Sequence, residues 1–303
     1  RKIMSKIVIW GHRLHESTHG YVHSSYKKAC EFLGHETLWI DHRDDISSID
    51  FSNSIFIVEH SRRQGMPYRK DCKYVGLNFQ NEFEENNIPK ENVIAFRHQC
   101  DVLDQETFEE KDVEKISDLS FWDESSRTLY QAWATDLLPH EIDHENPVEF
   151  NPRSKKLNYI GMLYEQGLWW AQEFANIIGE KHRVEFTVYT QNASDEENKQ
   201  LIRESFLCPD FRSDWHLLVG YIPCRIFKNI SYGRICGTNS HAVKREFGDY
   251  VVYGGTPQSL YENLLDAEVN KKVNMNEAML FIKEKHTYVN RVQNILKLFG
   301  VDE

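Results

Sequence analysis

The opening of the chain constrains its fold more than any other stretch. Lys6-Ile-Val-Ile-Trp10 is a short continuous apolar run after a polar start, the pattern of a strand covered on both faces of a parallel sheet. Gly11 ends it. A polar loop follows, a helix is predicted over residues 21–33, Gly34 stands where a helix leaves in a left-handed turn, and His35-Glu-Thr-Leu-Trp-Ile40 reads as the next strand. Strand, loop, helix, glycine and strand make a βαβ unit, because parallel neighbours can be joined only by a crossover of that length.

The same alternation continues. Apolar runs at residues 54–58, 74–78 and 92–96 read as further strands. Residues 81–87 read as a surface turn, residues 101–120 as an outer helix or loop, and Trp133-Ala-Thr135 as a buried strand with Asp136 at its exit. From Pro139 to Pro152 three prolines interrupt an acidic, non-periodic stretch, which places a domain boundary there. Beyond it, strands at residues 156–161, 184–189 and 207–212 alternate with helices at residues 167–178 and 194–206. The second of these helices opens on Ser194 with Glu197 three later, a capping box. Residues 274–299 carry an amphipathic stripe through Phe281, Val289, Val292, Ile295 and Leu296. The expected fold class is α/β, with Rossmann-like domains over residues 1–145 and 146–285 and a C-terminal helix over 286–303.

Composition narrows the function. With 303 residues, 40% of them hydrophobic and 13% aromatic, the chain has material for two packed cores. A net charge of −11 and the absence of any Lys/Arg block exclude nucleic acid as a partner. An anionic ligand then needs local cations and exposed amides to hold it against the overall field. The six cysteines form no Cys-x-x-Cys pair and no apolar run reaches membrane length, which reads as reduced thiols in a cytoplasmic protein without a transmembrane segment.

Two polar groupings follow predicted strands in the first half. His12, His15, Glu16, His19 and His23 crowd the first loop and the helix after it, at spacings of three and four. Without a Cys or a His-Glu-x-x-His motif they do not make a zinc site, so no metal is expected. Glu59 and His60 end the third strand, where a carboxylate beside an imidazole can orient a hydroxyl or take its proton.

In the second half, residues 221–241 hold the pattern on which a functional reading turns. Pro223 suits a first helical turn, Ile226, Phe227 and Ile230 recur at helical spacing, and Gly233 falls at the helix end. Ile-Cys-Gly then reads as a strand end, with Thr238, Asn239, Ser240 and His241 where it hands over to the next helix. Arg225 and Lys228 lie three apart, either as a solvated helix face or as cations facing phosphate.

This stretch resembles the donor half of GT-B-type glycosyltransferases, in particular the group whose C-terminal domains read roughly Pro-x-Arg-x-Phe-Glu-x-x-x-x-Gly. The chain matches at Pro223, Arg225, Phe227 and Gly233 and carries Lys228 where Glu is usual. The run from Leu129 to Pro139 is similar to uncharacterised bacterial and viral glycosyltransferase-like sequences. The resemblance implies two Rossmann-like domains facing across a cleft, the C-terminal helix over 286–303 packing back on the first of them, and metal-independent transfer of a sugar to an acceptor hydroxyl of a glycan or other glycoconjugate. The nucleotide sugar is then a co-substrate and no cofactor is needed. It also implies donor binding by Gly161, Arg212, Tyr221, Arg225, Lys228, Ser231, Thr238, Asn239 and Ser240. The catalytic base comes from the first domain, from among His19, Glu16, His60, Glu59 and Asp136. A sugar-nucleotide epimerase and an inactive nucleotide- or carbohydrate-binding module are the alternatives.

Overall fold

The computed structural model describes residues 5–13, 18–58, 63–77, 80–104, 107, 109–190 and 194–301. The chain divides into two compact α/β units. Unit 1 comprises Arg1–Leu138 and Thr287–Glu303, and unit 2 comprises Pro139–His286.

Unit 1 is built on β1 (Lys6–Trp10), α1 (Thr18–Phe32), β2 (Glu36–Ile40), β3 (Ile55–Val58), β4 (Lys73–Leu77), α2 (Gln80–Glu85), β5 (Val93–Arg97), β6 (Glu114–Ser117), β7 (Ser120–Asp123) and β8 (Thr128–Gln131). The strands lie in the order β2-β1-β3-β4-β5-β8-β7-β6. Strands β1 to β5 and β8 pair in parallel, while β7 and β6 fold back antiparallel at the edge. Val8, Trp10, Phe56, Val58 and Tyr74 pack into one core with Phe51, Phe83 and Ile88, which is why the runs that carry them read as unbroken apolar stretches.

Unit 2 follows as β9 (Lys156–Ile160), α3 (Glu165–His182), β10 (Glu185–Tyr189), α4 (Asp195–Glu204), β11 (Cys208–Asp210), α5 (Asp214–Leu218), α6 (Cys224–Ser231), β12 (Cys236–Thr238), α7 (His241–Phe247), β13 (Val251–Tyr253), α8 (Pro257–Val269) and α9 (Met275–Lys285). Its ladders, β10-β9 and β11-β12-β13, are all parallel. β11 packs beside β9. Phe206 N, just before β11, donates to Lys156 O at 2.7 Å, so the two ladders run on in the order β10-β9-β11-β12-β13. The Ser194–Glu197 capping box opens α4 as the sequence indicates.

The last helix, α10 (Tyr288–Leu298), returns to unit 1 and packs on α1, with the Tyr26 and Tyr288 rings 4.9 Å apart. Arg291 on α10 is fully buried and donates to the carbonyls of Ala132 at 2.9 Å and Trp133 at 3.0 Å. Burial pushes its pKa down to about 10, which still leaves it charged at neutral pH.

Three local expectations are corrected. Trp133-Ala-Thr135 is not a strand: the strand is β8, Thr128–Gln131, and Thr135 makes only an isolated bridge to Thr287. Residues 101–120 contain β6 and the first residue of β7, an edge hairpin whose Glu-Lys-Ile-Ser carries too little apolar alternation to announce itself. Residues 81–87 include most of α2 rather than a turn.

In both units the chain leaves its first strand to one side and returns to the other. β1 lies between β2 and β3, and β9 lies between β10 and β11. Ligands of open α/β sheets bind beyond the carboxyl ends of the strands at such a switch point.

Candidate functional site: a guanidinium pair at the strand exits of unit 2

The unit 2 switch point is occupied by Gly161 after β9 and by Asp210-Phe-Arg212 at and after β11. Asp210 has no exposed surface, and its Oδ1 accepts from Arg212 Nη2 at 2.7 Å and from Arg225 Nη1 at 2.6 Å. Tyr159 OH accepts from the same two groups, at 3.3 Å from Arg212 and 2.7 Å from Arg225. The Arg225 guanidinium carbon stands 3.9 Å from the Tyr159 ring centroid, and its Nε donates to Ile160 O at 3.2 Å. Two guanidiniums against one carboxylate leave one positive charge over. Burial works against the charge on Arg212, but Asp210, Tyr159 and Tyr221 outweigh it and hold its pKa above the ordinary value.

Gly161 is required here for two reasons. Its φ is +126°, and any Cβ would collide with Nη2 of Arg225. The void between β9 and β11, bordered by Asn158, Cys208, Arg225 and Asn229, measures about 10 Å³, room for a single water and no ligand. A concavity of about 510 Å³ bordered by Glu149, Lys155, Lys156, Arg203 and Glu204 lies at the amino end of β9, where carboxylates accompany its cations. The strand-exit rim, which lies at the switch point, is the anion-binding candidate of this unit.

The other residues expected on the donor side belong to the same unit. Arg225 and Lys228 share α6, with side chains 11% and residue 8% exposed respectively, so neither belongs to a solvated helix face. Ser231 ends that helix with its Oγ donating to Lys228 O. Asn239 clasps the main chain of Arg212, accepting from its N at 2.8 Å and donating to its O at 3.0 Å. Thr238 Oγ1 accepts from Ser240 N, and Ser240 Oγ caps α7 by accepting from Val243 N. Thr238, Asn239 and Ser240 are buried and hydrogen-bonded to the fold: they hold the rim in shape. Tyr221 packs its ring 5.2 Å from that of His216.

In unit 1 the corresponding rim gathers imidazoles. The His12 ring lies 5.2 Å from those of His19 and His23, His19 lies 6.1 Å from Trp133, and His98 lies 5.0 Å from Trp133. His23 Nδ1 is 2.8 Å from Gly11 O, so that nitrogen carries the proton. Asp136 is buried and accepts from Tyr21 OH at 3.3 Å and Thr135 Oγ1 at 3.4 Å. Glu16, Glu59 and His60 lie outside the described residues. Among the described residues no His, Cys, Asp and Glu side chains are grouped to hold a metal ion, and no helix is long and apolar enough to cross a membrane. All six cysteines are free.

Three members of the unit 2 rim escaped the sequence reading: Tyr159, Asp210 and His216. Asp210 had a signal, since it ends the run Leu207-Cys-Pro-Asp210 that places Arg212. The same strand-exit reasoning applies to both.

Fold and rim together define an α/β protein of two parallel-stranded units, the second with a cationic strand-exit rim. No protein-family model matches the chain, and no curated protein matches it. Among solved structures it is similar to an alpha1,3-fucosyltransferase with GDP, at a TM-score of 0.46 and 12% identity, over 100% of this chain and 92% of that one. It is also similar to an alpha1,3-fucosyltransferase at a TM-score of 0.46 and 10% identity, over 100% of this chain and 91% of that one. Likeness at that level carries no argument about activity, which rests on this chain's own residues.

Proposed function

We propose that the protein is a glycosyltransferase that binds the diphosphate of a nucleotide sugar at the unit 2 rim and transfers the sugar to an acceptor hydroxyl. The observation that supports this is the guanidinium pair Arg212 and Arg225, fixed by one carboxylate at the switch point of a parallel sheet. Guanidinium matches phosphate in geometry, and a pair already oriented needs little reorganisation as charge develops. In the reaction the bond from the anomeric carbon to the diphosphate oxygen breaks, its electron pair leaving with the diphosphate, where the two arginines meet it. The acceptor oxygen forms the new bond and gives up its proton to a base, for which His19, Asp136, Glu16, Glu59 and His60 are the candidates.

Thermal shift tests the binding half. A ligand held by the folded state alone raises stability by about 2.7 kcal/mol at a hundredfold excess over its Kd. Nucleoside diphosphates should raise the wild-type melting temperature and leave that of Arg225→Gln unmoved. Equal shifts in both proteins remove the rim from the reading. Release of nucleoside diphosphate only when an acceptor is added distinguishes transfer from epimerisation, and the absence of turnover with every donor leaves a binding module, the reading that buried Lys228 in place of the usual Glu favours.

A further inference from the structure

One titratable side chain of the rim has no task in the scheme above. His216 lies on α5, which begins directly after Ser213 at the β11 exit. Its Nδ1 is 2.7 Å from Ser213 Oγ, and its ring packs 5.2 Å from that of Tyr221 at a tilt of 39°. Tyr221 N donates to His216 O at 3.0 Å, so ring and backbone are both tied down. Where the Ser213 hydroxyl donates to Nδ1 the neutral imidazole carries its proton on Nε2, and the imidazolium carries one there in either case; Nε2 has no hydrogen-bond partner among the described residues.

The charged and titratable groups facing this ring are Arg212 and Asp210 from the β11 exit and Tyr221 from the segment before α6, while Asp214 on the same helix is exposed. Burial, then the Arg212 charge, lowers the pKa of His216, with Asp210 opposing. The imidazole of the ligand-free protein is therefore neutral at neutral pH.

We propose that His216 is a third diphosphate contact of the unit 2 rim, donating Nε2–H to a phosphate oxygen and taking up a second proton when the anion is bound, so that affinity rises as pH falls. This rests on the reading of unit 2 as a diphosphate site. The anion offsets the Arg212 charge that, after burial, holds the imidazole neutral, so the complex binds more protons than the free protein. By linkage, affinity then gains about tenfold for each unit by which the ligand raises the imidazole pKa.

Calorimetric titration with inorganic pyrophosphate at pH 8, 6.5 and 5.5 tests this on wild type, His216→Gln and Arg225→Gln. Ionisation of pyrophosphate itself is common to all three proteins and cancels in the ratio of their affinities. The wild-type advantage over His216→Gln should be about threefold at pH 8, the loss of one neutral hydrogen bond, and grow by about a further tenfold towards pH 5.5. Repeating the titration near pH 6.5 in buffers of different ionisation heat should show greater proton uptake by wild type than by His216→Gln, a readout that a merely structural histidine would not move. Pyrophosphate binding and proton uptake alike in wild type and His216→Gln at every pH overturn the assignment of His216 and leave the rim standing. Failure of wild type to bind pyrophosphate overturns the rim and His216 with it.

Discussion

Each sheet ends its first strand on a glycine of positive φ whose N–H donates to the last residue of the neighbouring strand: Gly11 to Ile40 O at 2.7 Å in unit 1, Gly161 to Tyr189 O at 2.9 Å in unit 2. The side chains gathered beyond those glycines differ in kind. Unit 1 gathers His12, His19 and His23 against one another, with His19 and His98 packed on Trp133. Unit 2 collects two guanidiniums around Asp210, a charge that does not change over any physiological range. One winding thus presents imidazoles at one rim and fixed positive charge at the other, since the residues that follow the strands differ.

The largest effect that could break this comparison comes from Asp210. Replacing it by Ala leaves two buried guanidiniums without their shared carboxylate, and urea unfolding should show a loss of about 3–5 kcal/mol. A loss below about 1 kcal/mol means the arginines do not depend on it. His19→Ala should lower transferase turnover by about a hundredfold, the scale of one general base, while leaving pyrophosphate affinity as in wild type. Weakened pyrophosphate binding in that variant erases the division of labour between the rims. Gly161→Ala forces a side chain into a left-handed φ and against Arg225, so stability should fall by about 1–3 kcal/mol and pyrophosphate binding should weaken with it. Unchanged binding there shows that Arg225 can swing aside without consequence.

Much of this architecture is legible in the sequence where local chemistry and tertiary context agree. Ile-Val-Ile of β1 is apolar on both faces because both are covered, Gly34 follows α1 with φ +86°, and Ser194 with Glu197 closes a capping box. Legibility fails where the determining partner is distant. Glu114-Lys-Ile-Ser becomes a strand only because β7 lies alongside it, and Trp133 is buried without being a strand. In the rim, Arg225 and Arg212 were readable as cations, but their shared anion was not, since Asp210 meets Arg225 across fifteen positions of chain. Nothing local marks the bonds that Thr238, Asn239 and Ser240 make within the fold either. Each is a small polar residue at a strand exit, and its partners lie elsewhere on the rim and in the next helix.

Unit 1 is completed by α10, whose residues follow all of unit 2 in the chain. A ribosome therefore finishes the guest before the host: the segment carrying the guanidinium rim can fold while the first sheet still waits for Arg291 and its neighbours to emerge. A released chain that stops at His286 should accordingly resist protease in its later half and be cut in its earlier half.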